Sequence, residues 1–429
     1  MNLKLWFSLV FQRVRENPVF VHSGLFALLV LGFVSALMGN RTKATRLLSQ
    51  AHRTARLRWM KRLVEPYVSS GLDTLHVAAS PLGQSAMSPL FGKRLLVLKP
   101  PISMEEKGVL LVAFTETIRL LHSCVDLQKL MNDYTLLLEP SWSGYCYPEL
   151  LDFARRNQET FVFAAEQQDF DFLKRMGRKL VPVPLGPCDW VDPRLAEPYL
   201  GTPKNYDIIV NSTWAAWKRH YVLFRMLARA EQKYKVALIG VEWDGRTRSD
   251  IERMADFYRV RDQITLLEHV PYAQVMDIMC RCKVSLLLSL KEGSNRALAE
   301  SMFCNVPVVA LSTHVGGIRK NIVPETGMFA SERTLESSIN YLSRSALAPR
   351  TWAVEHISCF VSSGLLNTFL RNYSVSAGKQ WTRDLVERSN SPEPNYVSET
   401  DKEQLASWND DLLKYLKAHP DRNLETVTA

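Results

Sequence analysis

The sequence predicts an α/β protein with two doubly wound domains in series and a ligand cleft between them. Three observations lead there. From about Lys93 onward, short β-rich runs alternate with helical stretches, the signature of parallel sheets covered by helices. Runs such as Val284-Ser285-Leu286-Leu287-Leu288 are almost continuously apolar, as strands buried on both faces are. The rhythm breaks between Pro182 and Pro203, where six prolines mark a segment suited to an interdomain connection. Ligands in open α/β sheets bind beyond the carboxyl ends of the strands, so the site is expected in the cleft.

Five units follow along the chain: an N-terminal anchor (1–40), a basic helical linker (41–92), a first α/β domain (93–200), a second (201–350) and C-terminal helices (351–429). In the first domain, strands are expected at 94–98, 109–114, 134–138, 161–164 and 180–183, with helices at 115–131, 148–155 and 170–176. In the second, strands fall at 206–210, 234–240, 264–267, 284–288 and 306–311, and helices at 218–231, 249–258, 272–280, 295–304 and 335–343. The tail shows no strand pattern and reads as helices at 352–369, 377–388 and 400–416.

The N-terminal segment predicts a single transmembrane helix. From Asn17 to Asn40 no residue carries a full charge, and fifteen of the twenty residues 19–38 are apolar. About 20 such residues span the hydrocarbon core of a bilayer. Lys4, Arg13 and Arg15 precede the segment, whereas eight basic residues and no acid lie between Arg41 and Arg62. The positive-inside rule then puts the rest of the chain on the cytoplasmic side. A cleaved signal peptide would have to draw that basic flank across the membrane, and no small-residue cleavage site stands out. The alternative is a buried core helix.

The same cluster accounts for most of the formal charge of +9, so the excess is local and a general nucleic-acid surface is not indicated. The seven cysteines match no zinc or disulfide spacing, which suggests reduced thiols and no metal site.

Chemistry concentrates after residue 285. The strand at 284–288 runs into a polar loop holding Glu292, Gly293 and Ser294, and a helix begins near Asn295. Glu292 therefore sits where a strand ends and a helix starts, beside amides that suit a polar or anionic ligand. Glu300 lies in the helix beside Phe303 and Cys304 and needs hydrogen-bond donors, which a ligand's hydroxyl pair would supply. Spacing alone favours the blander reading, a solvated loop carboxylate at Glu292 and an ion pair between Glu300 and Arg296. A second strand, 306–311, delivers Ser312-Thr313-His314-Val315-Gly316-Gly317 to the same place, and Gly316 and Gly317 permit close backbone approach to a ligand.

Glu292-x7-Glu300, Asn305-Val306-Pro307-Val308-Val309-Ala310, Val315-Gly316-Gly317-Ile318 and Thr326-Gly327 together resemble the donor domain of glycosyltransferase family 4, within the group 1 glycosyltransferase superfamily of GT-B fold. The resemblance covers residues 208–330. It implies two Rossmann-like domains, with 93–200 on the acceptor side and 201–350 binding the donor. It also implies roles residue by residue. Glu292 contacts the donor sugar; Gly293, Ser294 and Asn295 hold sugar hydroxyls and phosphate; Glu300 holds the ribose hydroxyls; Lys218 binds the diphosphate. A cation there neutralises the departing nucleoside diphosphate, so neither metal nor cofactor is expected and the nucleotide sugar is a substrate. The chain departs from the family in two places. Ser212 and Thr213 stand where the family carries a diphosphate-binding arginine, for which Arg219 is the candidate substitute. Arg319 and Lys320 follow Gly-Gly-Ile, where the family often has a carboxylate.

On the acceptor side, Trp142 and Tyr145 follow the strand at 134–138 and are candidates to stack on a sugar ring or acyl chain, or else form a packed aromatic loop. No histidine of this half stands out as a base; His76 and His122 read as structural or exposed. The expected function is retaining transfer of a sugar from a nucleoside-diphosphate sugar to a lipid-linked or polysaccharide acceptor at a membrane. The alternatives are a nucleotide-sugar epimerase, a glycan phosphorylase, or a non-catalytic binding subunit.

Overall fold

The computed structural model describes residues 12, 14, 16–55, 57–75, 77, 84–177, 179–196 and 202–417. His76 lies outside them. Two main sheets organise the chain and follow the expected strand positions, except that the second gains an edge strand at Gly327–Ala330 that was not expected.

The first sheet has the order β1-β2-β3-β4-β5, with β1 (Leu95–Lys99), β2 (Gly108–Ala113), β3 (Tyr134–Glu139), β4 (Thr160–Phe163) and β5 (Leu180–Val183). Strands β2 to β5 are parallel, but β1 runs antiparallel to β2. Residues 100–107 alone join those two strands, fewer than the roughly dozen residues a parallel crossover needs. The order is sequential and never reverses. This half is therefore not doubly wound as expected, and it has no switch point at which to seat a ligand. The helix expected at 115–131 is two, Thr115–Cys124 and Leu127–Asp133. The Asp126 carboxylate breaks the run by accepting the Lys129 amide as an N-cap.

The second sheet has the order β11-β10-β9-β6-β7-β8, with β6 (Tyr206–Asn211), β7 (Val236–Gly240), β8 (Ile264–Glu268), β9 (Cys282–Leu287), β10 (Val308–Leu311) and β11 (Gly327–Ala330). All its pairs are parallel. Winding starts at β6, proceeds one way to β8, then resumes at β9 on the other side of β6. Each strand feeds two cores by simple alternation. Ile208, Val210, Val309 and Leu311 enter one, while Ile209, Val308 and Ala310 enter the other.

The tail corrects another expectation. Residues 377–388 are not a helix, and a two-stranded ribbon follows, β12 (Arg388–Asn390) against β13 (Pro394–Tyr396). Tertiary partners decide this stretch. The helix Cys359–Ser376 ends before Gly378, whose φ is 70°. Thr382 donates through its amide and hydroxyl to Glu106, and the Val386 amide donates to the Leu98 carbonyl. The chain then drives Arg388 into the first domain's core, where its guanidinium pairs with Glu139 at 2.9 Å and lies 3.7 Å from the Trp190 ring centroid.

The expected transmembrane helix finds no support. Pro18–Leu37 is helical, but among the described residues no helix is long and apolar enough to cross a membrane. One side of this helix is committed to protein. Leu25 and Leu29 are buried in the first domain's core cluster, and Gly32 abuts Leu48 of the helix Arg41–Thr54. That helix and Arg58–Ser70 form the basic linker. They are tied to the first domain through Glu65, which receives two 2.8 Å bonds from Arg175 and lies 3.3 Å from His52.

Candidate active site

The second sheet's strand order reverses between β6 and β9, and the two residues expected to carry the chemistry flank that reversal. Beyond β6, a short 3-10 turn Ala216–Lys218 precedes the helix His220–Leu227, and Arg219 between them takes a left-handed φ of 57°. Lys218 thus stands on the turn before the helix rather than in its first turn. Beyond β9, the loop ends at Asn295, which caps the helix Arg296–Phe303 by accepting the Leu298 amide at 2.8 Å.

Lys218 Nζ and Glu292 Oε1 meet at 2.8 Å. The other carboxylate oxygen of Glu292 accepts from Asn295 Nδ2 at 2.8 Å, so one side chain both caps the helix and orients the carboxylate. Burial by itself would raise the Glu292 pKa, but the Lys218 charge and hydrogen bonds from Lys218, Ser289 and Asn295 hold it below the ordinary carboxylate value.

Glu300 is buried, as its neighbours Phe303 and Cys304 suggested. It pairs with Arg296 at 3.0 Å and accepts the Tyr272 hydroxyl at 3.0 Å. Of the alternatives weighed from spacing, the intrahelical pair with Arg296 is present, whereas Glu292 is buried rather than a solvated loop carboxylate; the Glu300 carboxylate lies beside the start of the helix Tyr272–Cys280.

The loop itself is compressed between the two halves. A Cβ on Gly293 would stand 2.1 Å from the Ser141 carbonyl oxygen, so only glycine lets the opposite domain approach this closely. The Ser143 hydroxyl donates to the Glu292 carbonyl. Ser294 donates to Cys188 Sγ and accepts the Cys188 amide, tying the loop to the interdomain segment. A Cβ on Gly316 would lie 2.8 Å from the Glu292 carbonyl oxygen, and the Gly317 amide donates to the Gly293 carbonyl. The two glycine-bearing strand ends do converge.

Three expected residues have other surroundings. Arg219 is buried in a network with Glu16, Glu332, the Tyr221 hydroxyl and the Leu288 carbonyl. Tyr145 is buried and donates to the Phe163 carbonyl at 2.6 Å, the packed-loop alternative. Trp142 is half exposed and meets Trp217 of the second half edge-on, with ring centroids 5.8 Å apart. Of the two basic residues after Gly-Gly-Ile, Lys320 pairs with Asp189 at 2.6 Å, and Arg319 lies over the Phe329 ring at 4.2 Å.

Space near this site is unevenly distributed. Around Ser212, Lys218, Ser289 and Asn295 there is a pocket of only about 10 Å³. Beside it, between the halves, a cavity of about 760 Å³ is lined by Arg58, Glu166, Gln168, His314, Gly316 and Arg319, among others.

The sequence did not single out Ser143, Tyr272 or His314. Ser143 and Tyr272 reach the site from other elements, a juxtaposition that local spacing does not encode. His314 carried a signal, a titratable ring two residues before the paired glycines.

Residues 200–345 match the family model described as glycosyl transferases group 1. No curated protein matches the chain. Similar solved structures include sucrose-phosphate synthase from Thermosynechococcus elongatus, at 16% identity over 59% of this chain and 71% of that one, with a TM-score of 0.46. The Anabaena protein HepE in complex with UDP-glucose is 15% identical over 59% of this chain and 76% of that one, with a TM-score of 0.47. A glycosyltransferase from Rickettsia africae is 14% identical over 59% and 80%, with a TM-score of 0.42. The family match spans all six strands of the second sheet and every residue of the Lys218, Glu292 and Glu300 constellation.

Proposed function

We propose that the protein is a retaining, family 4-type glycosyltransferase that moves a sugar from a nucleoside-diphosphate sugar to a lipid-linked or polysaccharide acceptor. The observation that carries this reading is the Lys218–Glu292 pair across the strand-order reversal of the family-matched sheet. In this reading the diphosphate takes over Lys218, whose ammonium neutralises the charge that develops as the sugar C1–O bond to phosphate breaks. Glu292, released from Lys218 and still held by Asn295, accepts hydrogen bonds from the sugar. Glu300 accepts from the ribose hydroxyls in place of Tyr272. The acceptor oxygen bonds to C1 on the face the phosphate leaves, and its proton passes to the departing phosphate oxygen. That step asks for neither a protein base nor a metal.

A donor hydrolysis screen without acceptor, using UDP-, GDP- and ADP-sugars, tests the reading. The expected result is release of one nucleoside diphosphate with a free sugar of retained anomeric configuration. Conversion to an epimeric nucleotide sugar would point to an epimerase. Turnover that needs inorganic phosphate would point to a phosphorylase. Nucleotide binding without turnover would leave a binding subunit, a role favoured by the commitment of Arg219 to Glu16 and Glu332.

The same proposal places the enzyme at the cytoplasmic face of a membrane, lying on it rather than crossing it. Phe26, Leu31, Val34, Leu37, Met38 and Trp59 are exposed apolar residues on the N-terminal helices. Exposed Arg41, Lys43, Arg46, Arg58 and Arg62 accompany them, with no acid between Asn17 and Val64. Apolar insertion beside a one-signed basic surface suits an anionic bilayer. All seven cysteines are free, as in a reducing compartment.

A further inference from the structure

The loop that follows β10 carries a buried histidine whose one free nitrogen points at the two glycine-bearing loops. His314 is 2% exposed. Its Nδ1 lies 2.9 Å from the Ser289 carbonyl oxygen. A carbonyl only accepts, so Nδ1 carries the hydrogen and Nε2 carries a lone pair. Burial lowers the imidazole pKa, in keeping with that neutral form. Nε2 itself is buried with no hydrogen-bond partner. A Cβ on Gly316 would stand 2.9 Å from it, 2.8 Å from the Glu292 carbonyl oxygen and 3.0 Å from the Gly293 carbonyl oxygen. The ring therefore occupies the ground that glycine at 316 leaves open, and His314 lines the cavity of about 760 Å³ between the halves.

An unpaired buried acceptor costs about 1–3 kcal/mol until water or a ligand satisfies it. The lone pair repels phosphate oxygens and attracts a donor. Where a Gly316 Cβ would stand, the other neighbours are acceptors, the Glu292 and Gly293 carbonyls, while the Glu292 carboxylate and the cations Lys218 and Arg319 act on the ring from further out. A ligand that fits brings hydroxyl hydrogens rather than more oxygen lone pairs.

We propose that His314 is a specificity residue of the donor subsite, its Nε2 accepting a hydrogen bond from a hydroxyl of the donor's sugar. This rests on the nucleotide-sugar reading above. The hydroxyl donates to Nε2 while Ser289 holds the other nitrogen, so the ring's tautomer fixes the sugar's orientation next to Glu292.

The test uses the full chain, with UDP, GDP and ADP and their glucose or mannose conjugates as probes. In the wild type, calorimetry identifies the nucleotide that binds, and hydrolysis of its sugar conjugate gives kcat/KM. For His314→Leu, affinity for the free nucleoside diphosphate is expected to stay within about 2-fold, while kcat/KM for the sugar conjugate falls about 10- to 100-fold. His314→Gln, which keeps an acceptor, recovers most of that loss. A conjugate whose sugar lacks the recognised hydroxyl is expected to lose the same factor in the wild type and nothing further in His314→Leu, the non-additivity that marks a direct contact. Equal losses for free nucleotide and sugar conjugate would make His314 merely structural and overturn the proposal. Unchanged kcat/KM in His314→Leu would overturn it too, with the glycosyltransferase reading left standing. Should no nucleotide bind the wild type, both fall.

Discussion

At the scale of single residues, the site is a set of charges satisfied by one another and poised for exchange. Glu292 touches Lys218 and Asn295, and the function turns on which of those contacts a substrate replaces. If Glu292 binds the reacting sugar as proposed, Glu292→Ala is expected to lower kcat about 100-fold with nucleotide affinity within about 2-fold, read by steady-state kinetics and calorimetry. Local pattern already marked Glu292 and Glu300, one at a strand-to-helix junction and one beside apolar helical neighbours, whereas Lys218 was marked through the family resemblance. It did not mark Tyr272, whose hydroxyl finds Glu300 only because two helices of the second half pack side by side. Nor did it foresee that Arg219, with a positive φ, turns away into a network with Glu16 and Glu332.

At the scale of elements, the strand positions were legible and the winding was not. Apolar runs and turn residues report where strands lie, but the antiparallel β1 follows from the short connection at 100–107 and the sequential first sheet from long-range pairing. The ribbon at β12 and β13 was hidden for a similar reason: residues 377–388 carry a helical composition, and contacts to Glu106, Leu98 and Glu139 override it. Two predictions belong here. Gly293→Ala sets a Cβ against the backbone carbonyl of Ser141, which cannot swing aside as a flexible side chain would. A loss of about 1–3 kcal/mol in denaturant unfolding is expected. The Glu65 carboxylate, which ties the N-terminal helices to Gln167–Met176, is depressed from 4.5 to about 2: burial opposes its ionisation, but the Arg175 guanidinium and His52 outweigh it. A depressed carboxylate contributes stability in full above its unfolded value and loses it as pH falls through the folded one. Glu65→Gln is therefore expected to flatten the loss of stability between pH 4.5 and about 2, followed by thermal melts across that range. An unchanged acid limb would show that the tie contributes nothing.

At the scale of the whole molecule, two α/β halves close on one loop while a basic, apolar helical face looks outward from the first. The expected membrane span is unsupported among the described residues, and sequence hydropathy counts apolar residues without knowing that Leu25 and Leu29 have protein partners. The exposed remainder makes a separate prediction: the protein floats with vesicles containing anionic phosphatidylglycerol, less so with phosphatidylcholine alone, and Leu37→Glu with Trp59→Glu abolishes flotation. Recovery of the wild type in the bottom fraction with both vesicles would contradict it. In the proposed reading the cleft binds a nucleotide whose ribose Glu300 holds. Calorimetric titration of the full chain with UDP, GDP and ADP tests that most directly. One of them is expected to bind, with Glu300→Ala weakening it about 10-fold; failure of all three to bind the wild type, or equal binding by Glu300→Ala, would contradict a ribose-holding role for Glu300.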